Sequence, residues 1–151
     1  FAVVAAYGLL RSTNDLDYFS LNPNNRQRDL EKLAGESSGL ARRYKVHVHS
    51  AAVASIPENY DERLTELFPG RFRNIRLFVP DPYDLVLSKL SRNLERDRQD
   101  VAYLARTQNL EPRVLRERYE SELKSYLIGP PDRHNRTLEF WLEAYFERSD
   151  G

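Results

Sequence analysis

Two aspartates placed two positions apart, Asp15 and Asp17, are the residues of this chain best suited to chemistry. They follow the polar segment 11–14 and alternate with Leu16 and Tyr18, which is the periodicity of a β-strand. Side chains two apart on a strand share a face, and two adjacent carboxylates repel unless a cation lies between them. Because Mg²⁺ is held by one or two carboxylates together with substrate phosphates, the pattern indicates half of a metal–nucleotide site. A solvated strand edge is the alternative for two aspartates alone.

A second concentration of polar residues lies between Asp81 and Asp100. Lys89 stands among leucines on a predicted helix, so its ammonium group needs an anionic partner, and a triphosphate would serve. Asp97 and Asp100 lie three apart on one helix face, with Arg92 and Arg96 nearby. For the Arg96–Asp100 pair an ordinary mixed-charge helix surface is the simpler interpretation.

The composition excludes several classes of protein. The 151 residues carry 23 basic and 23 acidic side chains, and neither half is strongly basic, so a nonspecific nucleic-acid-binding arm is not predicted. There is no cysteine, which excludes disulfides and thiolate chemistry. No apolar run reaches the roughly 18 residues that span a bilayer, so we expect a cytoplasmic protein without a membrane partner. Because the chain contains no methionine, we also expect that a segment precedes Phe1.

The order of apolar and breaker residues predicts an α+β protein with a small sheet and a helical C-terminal part. Strands are predicted at residues 15–21, 44–49 and 73–79. A turn is predicted at 22–25. Helices are predicted at residues 1–8, 26–41, near 60–67, from Asp81, from about Glu95, from Glu111-Pro112 and at 137–147. The last two helices carry apolar stripes, one formed by Leu115, Tyr119 and Leu123 and the other by Leu138, Trp141, Leu142 and Tyr145, and we expect both stripes to pack back onto the domain.

Two motifs together resemble those of bacterial nucleotidyltransferase-like proteins related to AbiEii-type toxins, within the DNA polymerase β-like superfamily. The first motif comprises Tyr7, Gly8, Arg11, Thr13, Asp15 and Asp17. The second comprises Asp81, Asp84, Lys89, Arg92, Arg96, Asp97, Asp100 and Leu104. The resemblance covers residues 1–107, which are therefore expected to form a nucleotidyltransferase-like core, with residues 108–151 as a helical extension packed on it.

The resemblance implies a mixed β-sheet flanked by helices and the transfer of a nucleoside monophosphate from an NTP to a hydroxyl of RNA or protein. Asp15 and Asp17 would hold Mg²⁺ and serve catalysis together with Asp97. The nucleotide-binding residues would be Arg11, Ser12, Thr13, Lys89, Arg92, Arg96 and Asp100. The resemblance also admits a toxin with a cognate antitoxin as its partner.

This chain departs from the superfamily pattern in two places. The Gly-Gly or Gly-Ser pair that precedes the first helix in the superfamily would fall before Phe1. Many active members also take a third carboxylate from a later strand, whereas the corresponding strand here carries His47 and His49 and no acid. A histidine substitutes for that acid, or Asp97 does, or the metal site is incomplete. The last option favours an alternative function, a catalytically inert nucleotide- or protein-binding module.

Overall fold

The computed structural model describes residues 2–21, 26–51 and 55–146. The described α-helices are α1 (Ala2–Tyr7), α2 (Arg26–Ala34), α3 (Gly39–Tyr44), α4 (Pro82–Ser88), α5 (Glu95–Thr107), α6 (Pro112–Arg118) and α7 (Pro131–Trp141). The strands are β1 (Asp15–Tyr18), β2 (His47–Ser50), β3 (Thr65–Leu67) and β4 (Leu77–Val79). The α+β class with a helical C-terminal part is confirmed. The described strands form two separate two-stranded sheets.

The described chain forms two compact units, one from Val3 to Ala51 and one beginning at Ser55. In the first unit β1 and β2 pair in parallel. Parallel neighbours need a crossover connection, and α2 and α3 lie in the segment between them. The predicted division into residues 1–107 and 108–151 stays a prediction. The predicted turn at residues 22–25 lies outside the described residues.

The helix predicted for residues 26–41 is two helices, and Gly35 explains where the first one ends. A Cβ at Gly35 would lie 2.4 Å from the carbonyl oxygen of Glu31, so only glycine fits this turn. A new helix begins when the hydroxyl of Ser38 accepts a hydrogen bond from the backbone N–H of Ala41 at 3.0 Å, which is an N-cap. This helix runs to Tyr44, and therefore β2 begins at His47 rather than at Tyr44 as the alternation predicted.

The second unit opens with a short antiparallel pair. The helix predicted near residues 60–67 is a 3₁₀-helical turn at Tyr60–Arg63 followed by β3, which pairs with β4. That prediction was wrong for residues 65–67. They pair with residues 77–79, and the pattern of neighbouring residues alone does not reveal a partner at that separation. The other strands are shorter than predicted, since β1 ends at Tyr18 and β4 begins at Leu77.

Helix α4 starts as the sequence predicts. The carboxylate of Asp81 accepts a hydrogen bond from the backbone N–H of Asp84 at 2.9 Å, and Pro82 occupies the first turn, where its missing N–H costs nothing. Helix α5 begins at Glu95 and buries Val101 and Leu104, as predicted. The two helices contact each other.

Both C-terminal helices continue into turns that are not regular α-helix. Helix α6 continues as a π-helical turn at Tyr119–Leu123 and a 3₁₀-helical turn at Lys124–Tyr126. Helix α7 begins at Pro131, six positions before the predicted start at Thr137, and continues as a π-helical turn at Leu142–Phe146. The early start arises because proline is favoured at the first helical position, so Pro131 begins the helix.

Both C-terminal stripes face the interior, as predicted. Leu115, Tyr119, Leu123, Leu138, Trp141 and Leu142 are buried, and Tyr145 is half-buried. The hydroxyl of Tyr119 donates a hydrogen bond to Asn135 at 2.6 Å, and Arg116 pairs with Glu139. These contacts join α6 and its extension to α7, while the turn at Leu142–Phe146 contacts α5. The C-terminal helices are thus integral to the second unit.

Replacement of Trp141 by alanine tests this packing role. Trp141 is 0% exposed, and truncation of a buried aromatic side chain costs about 3–5 kcal/mol of unfolding free energy. Phe140 is 54% exposed, so Phe140→Ala is the adjacent control, with an expected loss below about 1 kcal/mol. Urea unfolding measures both variants. Equal losses would contradict the packing assigned to α7.

Candidate functional site

The parallel pairing of β1 with β2 aligns the two aspartates with the two histidines. Asp15 is opposite His47, and Asp17 is opposite His49. Partnered residues of adjacent strands point to the same face of a sheet, so all four side chains share one face. Asp15 and His47 are half-buried, and Asp17 and His49 are exposed. The predicted placement of Asp15 and Asp17 on one strand face is confirmed.

The opposite face of this sheet is covered by protein. Tyr18 and Ser50 are partners on that face, and both are half-buried. Burial raises the pKa of Tyr18, and the negative charge of Glu31 on α2 raises it further, against the effect of the Ser50 hydroxyl. Helix α2 contacts β2. On the face with the aspartates, Asp17 and His49 are exposed, so a ligand can reach this pair.

The segment before β1 orients the first aspartate. The hydroxyl of Thr13 lies 3.0 Å from the backbone carbonyl oxygen of Asp15 and 3.1 Å from its carboxylate Oδ1, so it can donate a shared hydrogen bond to both. The backbone N–H of His47 donates to the carbonyl of Asn14 at 2.8 Å and extends the strand pairing to the start of β1. Of the other predicted ligands in this segment, Arg11 is half-buried and Ser12 is exposed.

The four side chains on this face can be tested against a divalent cation. Among the described residues no group of three or more His, Asp and Glu side chains is arranged to hold a metal ion. Mg²⁺ requires fewer protein ligands, since one or two carboxylates suffice when phosphate oxygens complete its shell. Asp15 and Asp17 supply the oxygen donors that this hard ion prefers, and Thr13 holds one of those oxygens in place. The donor set fits a two-carboxylate site that nucleotide binding completes.

The second predicted group of site residues comes together in the second unit. The ammonium group of Lys89 lies 2.8 Å from Asp100 and 3.7 Å from Asp97. Arg92 binds Asp97 through two nitrogens, at 2.6 and 2.8 Å. The anionic partner that Lys89 requires is therefore found within the protein. Arg96 is exposed, whereas Asp100 is buried.

The carboxylate of Asp97 is fully engaged. It is 0% exposed and accepts a hydrogen bond from the backbone N–H of Leu94 at 3.0 Å in addition to the two from Arg92. Burial alone would raise its pKa, but the hydrogen bonds from Arg92 and Leu94 and the charges of Arg92 and Lys89 lower the pKa below its ordinary value. Through these contacts Asp97 binds the backbone at the start of α5 and holds the side chains of Arg92 and Lys89 in place. Its predicted catalytic role stays a prediction.

A third cluster was not singled out from the sequence as a site. Asp84 is 0% exposed and accepts hydrogen bonds from Arg63 at 2.8 and 3.1 Å and from Arg118 at 2.9 Å. Arg63 also binds Glu122 at 2.7 Å, and Arg118 binds Asp81 at 2.8 Å. The sequence signal was weak, because these residues are separated by tens of positions and only Asp81 and Asp84 belong to a recognisable motif.

Three carboxylates and two guanidinium groups interact in this third cluster. Burial raises the pKa of Asp84, and the neighbouring Asp81 adds to that effect, against the hydrogen bonds from Arg63 and Arg118. Burial alone would lower the pKa of Arg63, but its hydrogen bonds to Asp84 and Glu122 raise it above its ordinary value. The guanidinium of Arg118 also lies 4.9 Å from the ring centre of Tyr83. The arrangement is a structural ion network that joins the turn at Tyr60–Arg63 to α4 and α6.

The model of the protein family DUF6036, described as a nucleotidyltransferase of unknown function, matches residues 1–149 of this α+β protein. The chain therefore belongs to this nucleotidyltransferase family. The match extends beyond the residues 1–107 that carry the sequence resemblance and includes the C-terminal helices. No curated protein and no solved structure matches the chain. No helix in the described part of the chain has the length and apolar character needed to cross a membrane.

The ion pairs of Asp97 predict an acid-sensitive stability. An unfolded Asp has a pKa of about 3.9, and the folded pKa of Asp97 is lower. The stabilising contribution is therefore present above about pH 4 and is lost as the pH falls through the folded pKa. Asp97→Asn should lower the unfolding free energy at pH 7, by about 3 kcal/mol for a broken buried ion pair, and flatten the pH dependence below pH 4.

Asp132→Asn is the matched control, since Asp132 is an exposed acid in the first turn of α7 as Asp97 is a buried one in the first turn of α5. Urea unfolding between pH 3 and pH 7 measures both variants. An unchanged acid slope in Asp97→Asn would show that other carboxylates set the acid limit.

Proposed function

We propose that this protein is a Mg²⁺-dependent nucleotidyltransferase that transfers a nucleoside monophosphate from an NTP to a hydroxyl group of RNA or protein. The observation that carries the proposal is the open sheet face on which Asp15 and Asp17 lie in register with His47 and His49. Membership of a nucleotidyltransferase family makes nucleotidyl transfer the chemistry to which such a carboxylate pair is suited.

Asp15 and Asp17 are the residues that would hold the metal ion. When bound, Mg²⁺ would supply positive charge for the triphosphate and for the charge that develops during transfer. The two carboxylates would bind the ion and fix its position, and the hydrogen bond from the Thr13 hydroxyl limits the motion of Asp15. Arg11, Ser12 and Thr13, which directly precede β1, are the candidate phosphate ligands of this unit.

The proposed reaction replaces a phosphoanhydride bond of the NTP with a phosphodiester bond to the acceptor. The oxygen of the acceptor hydroxyl bonds to the α-phosphorus, the bond from that phosphorus to the pyrophosphate oxygen breaks, and the hydroxyl proton must be removed. We assign His49 to accept this proton, since it is exposed beside Asp17 and imidazole is the commonest general base. This assignment replaces the third carboxylate that the sequence lacks.

The roles that the sequence resemblance implies for residues of α4 and α5 stay predictions. They give Lys89, Arg92, Arg96 and Asp100 to nucleotide binding and Asp97 to catalysis. Within the second unit, Lys89 and Arg92 pair with Asp100 and Asp97. A toxin role with a cognate antitoxin belongs to the same proposal and rests on the sequence resemblance alone. A cytoplasmic location belongs to it as well and rests on the absence of a long apolar run in the sequence.

Label transfer tests the proposed reaction. The full chain is incubated with Mg²⁺, each of the four NTPs labelled at the α-phosphate, and either total RNA or total protein. Covalent label on one acceptor class, with release of pyrophosphate, is the expected result. Bound NTP without transfer would instead support the second candidate, an inert nucleotide-binding module, which is favoured by a strand β2 that carries His47 and His49 and no acidic residue.

The double variant Asp15→Asn, Asp17→Asn should lose Mg²⁺-dependent NTP binding while its fold keeps or gains stability. The reason is that the repulsion between the two carboxylates disappears with their charges. The thermal shift caused by Mg²⁺ and NTP is the measurement. The double variant Asp29→Asn, Glu36→Gln removes two exposed acids from the same unit and should keep the full shift. A full ligand-induced shift in the first variant would refute the metal assignment.

Lys89→Ala should weaken NTP binding more than Lys124→Ala does. Each lysine lies 2.8 Å from a carboxylate oxygen, and Lys89 also lies 3.7 Å from the buried Asp97. Only Lys89 lies in the motif that resembles the nucleotidyltransferase pattern. A binding titration by calorimetry gives both dissociation constants, and we expect a difference of about tenfold, equivalent to about 1.4 kcal/mol. Equal constants would reduce Lys89 to a structural partner of Asp100.

A further inference from the structure

The loop between β3 and β4, residues 68–76, differs from the rest of this neutral protein. All nine of its residues are exposed. From Leu67 to Pro80 the sequence contains three arginines and no acidic residue, although the chain as a whole has a formal net charge of zero. This 68–76 loop is therefore a local positive surface on a protein without overall positive charge.

Two of the three arginines are available to a ligand. Arg76 is already engaged, since it binds the carboxylate of Glu66 at 2.6 and 3.0 Å and lies 4.9 Å from the ring centre of Phe78. Arg71 and Arg73 form no ion pair with any residue in the described ranges. The charge of the loop is thus carried by two guanidinium groups in solvent, two positions apart.

Aromatic rings lie between these charges. Phe68 and Phe72 are 47% and 49% exposed, and their ring centres lie 6.4 Å apart in an edge-to-face arrangement. Together with Gly70 and Arg71 they line an open hollow of about 560 Å³. The two rings form one exposed apolar patch beside the hollow, and contiguous exposed apolar surface can mark a binding site.

The backbone holds the rings in this position. Phe68 has φ +53° and Gly70 has φ +74°, and the backbone N–H of Arg71 donates a hydrogen bond to the carbonyl of Phe68 at 3.0 Å. Positive φ is energetically unfavourable for a residue with a side chain, so the surrounding turn must stabilise Phe68 in this conformation. The turn therefore presents Phe68 and Phe72 as a formed surface between two paired strands.

We propose that the 68–76 loop binds single-stranded nucleic acid. Exposed aromatic rings stack on bases, whose faces are accessible in a single strand, and arginines contact the phosphates between them. Duplexes hide the base faces and offer only their phosphates and groove edges. An acidic peptide would satisfy the arginines but would leave the rings without a specific partner, so the combination of the two features favours nucleic acid.

This inference goes beyond the proposed function, because binding by the loop requires neither an NTP nor a metal ion. If the acceptor of the proposed transfer is RNA, the loop is a surface that would hold it. The test is therefore carried out on the full chain in EDTA and without NTP, so that loss of catalysis and loss of loop binding are separate results.

Fluorescence anisotropy with labelled 12-nucleotide oligomers of mixed sequence measures the binding, using RNA, DNA and a DNA duplex of the same length. We expect both single strands to bind more tightly than the duplex, and a preference between RNA and DNA identifies the natural strand. Each phosphate contact to a single strand contributes about −0.7 to the slope of log K against log salt. The two free arginines therefore predict a slope of about −1.4, which Arg71→Gln and Arg73→Gln should each reduce by half.

Phe72→Leu keeps the apolar character and removes the stacking ring, and we expect it to weaken single-strand binding by at least about fivefold without changing the salt slope. The matched control is Phe140→Leu, because Phe140 is also half-exposed and also forms an edge-to-face pair, with Tyr145 at 6.3 Å. Arg113→Gln, an exposed arginine of α6 without an ion pair to a described residue, controls for net charge. Both controls should bind as the parent does.

Three results would overturn the proposal. The first is no measurable binding of any single strand at low salt. The second is equal binding of duplex and single strand that Phe72→Leu leaves unchanged, which indicates a general electrostatic effect. The third is self-association in sedimentation velocity that Phe72→Leu abolishes while oligomer binding is unaffected, which assigns the loop to contact between copies of the chain.

Discussion

The second unit depends on one carboxylate that has no access to water. A buried charge without partners would be far too costly to retain, and Asp84 avoids this cost because two guanidinium groups bind it, one from before it and one from after it in the sequence. Arg63 comes from the turn that precedes β3, and Arg118 comes from the end of α6. The positions of the β3–β4 pair and of α6 relative to α4 are therefore fixed by the same anion.

Local rules explain the parts of the fold that the sequence predicts correctly. The start of α4 needs only the Asp81-Pro82 pair, and the inward face of α7 needs only the 3.6-residue spacing of Leu138, Trp141 and Leu142. The errors occur where a partner is remote. Residues 65–67 resemble a helix until their pairing with β4 is known, and no spacing rule connects Arg63 with Asp84.

The same distinction applies to the candidate site. The common face of Asp15 and Asp17 follows from the two-residue period of a strand, and the structure confirms it. The alignment of these aspartates with His47 and His49 could not be predicted, since the register of a parallel pair depends on the length of the whole crossover. Lys89 could be recognised as a cation that needs an anion, but the sequence offered several anions, and the structure selects Asp100 and Asp97.

The parallel pairing of β1 and β2 also determines when the candidate site exists during folding. Four residues on each strand are joined by a crossover that contains α2 and α3, so the entropy of closing that segment is lost before any strand contact compensates for it. We therefore expect the aspartates and histidines to meet late in folding. By the same reasoning, local unfolding of the crossover would separate the strands and remove the proposed site as a whole, so binding at the proposed site and the stability of this short segment would be thermodynamically linked.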